Sequence, residues 1–72
     1  MTNDERAKLR TLLTYWIEHN REHADEFREW AVKAKAWGEA EVGEEMLQAA
    51  QQMTKANEPL SQALTRLETK GQ

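Results

Sequence analysis

The sequence of 72 residues predicts an all-α protein: a long antiparallel helical hairpin that pairs with a second copy into a four-helix bundle. Three observations predict it. Apolar residues recur at alternating steps of four and three on either side of Gly38. One stretch is Leu9, Leu13, Trp16, Asn20, His23, Phe27, Trp30, Ala34 and Trp37; the other is Val42, Met46, Ala49, Met53, Ala56, Leu60, Ala63 and Leu67. This is the spacing of a seam between paired helices. Residues that face each other across a hairpin have position numbers of nearly constant sum. Trp37 with Val42, Ala34 with Met46, Trp30 with Ala49, His23 with Ala56, Trp16 with Ala63 and Leu13 with Leu67 all sum to 79 or 80. Bulky residues meet small ones in that register, which fills a seam without overpacking it.

The first helix is expected from about residue 4 to 37. Thr2, Asn3 or Asp4 caps it, and Asp4 and Glu5 suit the positive end of its dipole. No glycine or proline follows before Trp37. The polar run His19-Asn20-Arg21-Glu22-His23 resembles a loop, but steps of four and three from Trp16 still land on Asn20, His23 and Phe27, so the helix continues through it. Gly38 stops it, and Gly38-Glu39-Ala40-Glu41 makes a short turn.

The second helix is expected from about residue 40 to 69, with Gly43 in its first turn and a frayed Thr-Lys-Gly-Gln tail. Pro59 removes the bond to the Lys55 carbonyl, and because the apolar phase continues through Ala56, Leu60 and Ala63 we expect a kink there. The alternative is a break, with Asn57 capping a separate last helix.

Two flanks border the seam. Ile17, Ala24, Ala31 and Gly38 with Gly43, Ala50, Asn57 and Leu64 form a small, mostly apolar strip in which opposed positions sum to 81. Leu12, His19, Glu26 and Lys33 with Glu45, Gln52, Pro59 and Arg66 form a polar one, with Lys33 and Glu45 a candidate exposed ion pair. A contiguous apolar strip marks an interface, so Ile17, Ala24, Ala31, Ala50 and Leu64 are expected to face a second hairpin in a twofold homodimer. A helical adaptor that grips another protein through this strip, and a compact monomer with broken helices, are the alternatives.

Asn20 and His23 are the only polar members of the seam. With Asn57 they are expected to form a buried polar layer that fixes register and oligomeric state. The competing reading is metal binding. His19 and His23, four apart, stack on one helical face, and Glu22 and Glu26 each follow a histidine by three residues, a donor set for nickel, cobalt, zinc or copper. The order His-x-x-Glu reverses that of ferritin-like bundles, and the second helix offers no inward glutamate, which argues against a di-iron centre.

Composition narrows the classes further. There is no cysteine, hence no disulfide or thiolate site, and a net charge of −3 with a pI near 5.3 argues against nucleic-acid binding. No apolar run reaches the roughly 20 residues of a membrane span and the start lacks a signal-peptide pattern, so a single cytoplasmic domain over residues 1–72 is expected. No nucleophile-base-orienter spacing or Gly-rich phosphate loop occurs, so no enzyme and no obligatory cofactor are expected.

The segment Tyr15-Trp16-Ile17-Glu18-His19-Asn20-Arg21-Glu22-His23-Ala24-Asp25-Glu26-Phe27, followed by Trp30-Ala31, resembles a family of short uncharacterised prokaryotic proteins. The resemblance implies an all-helical fold. Some members carry a histidine-rich N-terminal extension, which implies metal handling, at His19, His23, Glu22 and Glu26 in this chain. Met1 to Leu9 contains no histidine.

Overall fold

The computed structural model describes residues 1–70. They form two α-helices, α1 (Asn3–Ala36) and α2 (Ala40–Lys70), folded back on each other into a rod whose Cα atoms span 53 × 15 × 13 Å. Of the three capping candidates, Thr2 takes the role. Its hydroxyl accepts from the Glu5 amide at 3.1 Å, and its own amide donates to the Glu5 carboxylate at 2.8 Å. This reciprocal box satisfies two donors that the first turn leaves unpaired.

α1 ends in a Schellman turn. The Glu39 amide donates to the Ala34 carbonyl at 2.9 Å and the Gly38 amide to the Lys35 carbonyl at 3.0 Å, with Gly38 at φ +90°. That conformation strains any residue with a Cβ, so Gly38 fixes the reversal. α2 runs without interruption through Pro59, which rules out the alternative of a separate last helix. Thr69 and Lys70 belong to α2, while Gly71 and Gln72 of the expected tail lie outside the described residues.

The hairpin is as expected, but its seam is turned. Leu13, Ile17, Asn20, Ala24, Phe27, Ala31 and Ala34 of α1 face Gly43, Met46, Ala50, Met53, Asn57, Leu60, Leu64 and Leu67 of α2, all buried or half-buried, with Arg6, His19, His23, Leu47 and Ala49 half-buried beside them. The facing positions also step by four and three. They combine half of the expected seam with the strip expected to face a second hairpin. Ile17, Ala24, Ala31, Ala50 and Leu64 therefore lie between the chain's own helices, with Ala24, Ala31 and Ala50 at most 1% exposed, and the expectation that they form a dimer interface is corrected.

The physical reason is residue size. Ala24, Ala31, Gly43 and Ala50 let two backbones approach closely, which a rank of tryptophans would prevent. The approach at Gly43 is close enough that a Cβ there would lie 2.6 Å from Lys35 Cγ and 2.9 Å from the Ala31 carbonyl oxygen. Pairing is also knob into hole rather than head-on. Gly43 sits between Ala31 and Lys35 rather than opposite Gly38, and Asn57 meets Ile17 and Asn20 rather than Ala24. No helix among the described residues is long and apolar enough to cross a membrane.

Candidate functional site

Turning the seam leaves the tryptophans outside. Leu9, Trp16, His23 and Trp30 of α1, with Trp37 at its C-cap, recur every seven residues and form one rank, the first four beside the seam positions Leu13, Asn20, Phe27 and Ala34. On α2 the matching rank is Val42, Ala49, Ala56 and Ala63. Trp16 is 41%, Trp30 49% and Trp37 69% exposed, and Leu9 and Val42 are exposed too. Both ranks border the same groove, where Phe27 of α1 and Ala49, Gln52 and Met53 of α2 line a shallow depression. The other edge is polar, with Arg28 donating to Thr54 Oγ1 at 3.0 Å and Lys35 paired with Glu44. The hairpin thus has one polar edge and one aromatic edge.

Along the aromatic edge the rings are already ordered. Tyr15 stacks on His19 with centroids 5.2 Å apart, His19 meets His23 edge to face at 4.3 Å, and His23 stacks on Phe27 at 5.9 Å. This ladder follows from steps of four along one helical face. Trp30 lies 6.3 Å from Trp37, and the Lys33 ammonium sits 4.2 Å over the Trp30 ring, a cation–π contact that covers part of an exposed face.

The residues expected to form one polar layer separate into two groups. Asn20 Nδ2 donates to Asn57 Oδ1 at 3.0 Å, and Asn57 Nδ2 donates to the Ile17 carbonyl at 3.0 Å, so this pair bridges the helices inside the seam. His23 is not in it. It lies on the outer rank, where its Nε2 is 2.9 Å from His19 Nε2, one ring donating and the other accepting. His23 Nδ1 lies 4.0 Å from Glu26 Oε2. Glu22 is exposed and joins neither histidine among the described residues. Of the four expected metal donors, the structure brings His19 and His23 together, holds Glu26 at the margin and leaves Glu22 apart. No group of three or more histidine, cysteine, aspartate or glutamate side chains poised around one point occurs among the described residues.

Two features escaped the reading of the sequence. Gly43 was legible as a glycine in a first turn, but its role as a contact point depends on the partner helix. The capping box was missed, although its Thr-x-x-Glu pattern stands at the start of the chain.

Fold and edge together define a small helical-hairpin protein with a closed, small-residue seam and an open aromatic flank. The chain belongs to the DUF8180 family, whose model, described as a domain of unknown function, matches residues 9–67, including the whole Tyr15–Ala31 segment. No curated protein and no solved structure matches the chain.

Proposed function

We propose that this protein is a non-catalytic interaction module that self-associates through its aromatic flank, two hairpins forming a four-helix bundle. The observation that carries the reading is the flank itself: Leu9, Trp16, Trp30 and Trp37 exposed in line beside Val42 and the alanine rank of α2. The occupant we propose is a second copy, and gripping of a different helical protein is the competing outcome.

The test is sedimentation velocity on wild type and on Trp30→Glu, a substitution at an exposed position. Wild type is expected at twice the chain mass and the variant at the single mass, with equal helicity by circular dichroism. A wild type that sediments as a single chain would point to a different partner.

A second reading is divalent transition-metal binding, with nickel, cobalt, zinc or copper as candidates. It is favoured by one observation, the 2.9 Å approach of His19 Nε2 and His23 Nε2, which offers a bidentate pair of imidazoles on one face. The two readings share a residue, because His23 lies on the flank that self-association would cover.

A further inference from the structure

Resting on the metal-binding reading, we infer which ions the histidine pair takes. His19 and His23 form a right-angled site that fits copper(II) or nickel(II) and discriminates against tetrahedral zinc.

Distance is the first ground. His19 Nε2 and His23 Nε2 lie 2.9 Å apart. With bonds of roughly 2.0–2.1 Å from metal to imidazole nitrogen, that separation subtends about 90° at an ion bound to both, whereas a tetrahedral ion needs its two nitrogens about 3.3 Å apart. Square-planar, tetragonal and octahedral ions hold neighbouring ligands at right angles. Of the ions that favour imidazole, copper(II) and nickel(II) take those geometries. The two histidines supply one edge of the coordination square, and water fills the rest.

Restraint is the second ground. The pair is the middle of an aromatic ladder in which Tyr15 stacks on His19 at 5.2 Å and Phe27 stacks on His23 at 5.9 Å. Both histidines are half-buried. The outer rings limit how far the imidazoles can turn apart, because spreading the nitrogens toward the tetrahedral separation disturbs both stacks.

The protons are placed to suit an ion. Both Nε2 atoms must offer it a lone pair, so each ring must carry its hydrogen on Nδ1. Glu26 Oε2 stands 4.0 Å from His23 Nδ1, and its charge favours a hydrogen on that nitrogen. His23 Nε2 is then the acceptor in the contact between the rings and His19 Nε2 the donor. Entry of an ion moves one hydrogen only, from Nε2 to Nδ1 of His19.

Copper(II) outcompetes other divalent ions at most nitrogen sites, so nickel against zinc is the discriminating comparison. The full chain, titrated in a calorimeter with nickel chloride and with zinc chloride, should bind nickel at least about 10-fold more tightly. Cobalt(II) reads the geometry directly, since its visible absorption is weak in an octahedral site and intense in a tetrahedral one. Bound cobalt should stay weakly coloured. A smaller margin for nickel, or an intense cobalt band, would overturn the right-angled site while leaving metal binding standing. Uptake of nickel, zinc and cobalt no stronger than that of His19→Ala/His23→Ala would overturn both.

Discussion

Asn20 and Asn57 join side chain to side chain at 3.0 Å midway along an otherwise apolar seam, and the second amide proton donor of the pair reaches the Ile17 carbonyl. A bridge of this kind contributes little net stability but penalises every register in which either amide would be buried alone. Asn57→Leu is therefore expected to lower stability by about 1–3 kcal/mol, because it strands the Asn20 amide. The double change Asn20→Leu/Asn57→Leu is expected to raise the melting temperature above that of the single variant and up to or beyond wild type. Thermal melts followed by circular dichroism check both; a double variant less stable than the single one would contradict the account of the bridge.

Gly43→Ala pits two effects against each other. Helix propensity favours alanine by up to about 1 kcal/mol, and less in a first turn. The new Cβ would meet Lys35 Cγ and the Ala31 carbonyl oxygen, and the second of these is backbone that yields only if the helices separate. Overpacking of this kind costs about 1–3 kcal/mol, so the variant should be less stable than wild type. Urea denaturation gives the sign; a stabilised variant would show that the helices approach less closely than described.

Lys35 and Glu44 separate packing from charge. Both are partly exposed, so Glu44→Gln is expected to change stability by less than about 0.5 kcal/mol. Lys35→Ala removes the stem that lies under Gly43, and in the Gly43→Ala background it should relieve part of the loss. A double-mutant cycle in urea measures that coupling, and additive effects would deny the contact.

The histidine pair gives a test of the metal reading. Wild type titrated with nickel or zinc in a calorimeter is expected to bind at least about 10-fold more tightly than His19→Ala/His23→Ala, as chelation by two imidazoles four residues apart requires. Equal, weak uptake by both proteins would remove the metal reading.

What the sequence made legible is instructive in its pattern. Both helices, the turn at Gly38 and the continuity through Pro59 follow from local signals: cap residues before an acidic first turn, a glycine at the reversal and an unbroken four-three phase. The face that each helix turns inward did not follow. In this chain three adjacent ranks are apolar or small, and two overlapping seams can be drawn, one with tryptophans and one with alanines. Hydrophobicity favours the first; closeness of approach decides for the second, because Ala24, Ala31, Gly43 and Ala50 admit a backbone where Trp16 and Trp30 cannot. Asn57 was legible as a polar partner on that strip, whereas placing His23 in the same layer followed from the wrong seam.

An outward aromatic rank has one consequence above the others. Sedimentation equilibrium of wild type over a wide concentration range, without tags, measures it most directly. The expected result is a mass of twice 8.4 kDa that falls toward the single value on dilution, with tryptophan emission moving to the red as the flank becomes wet. A mass of 8.4 kDa at every concentration, with emission unchanged, would contradict it.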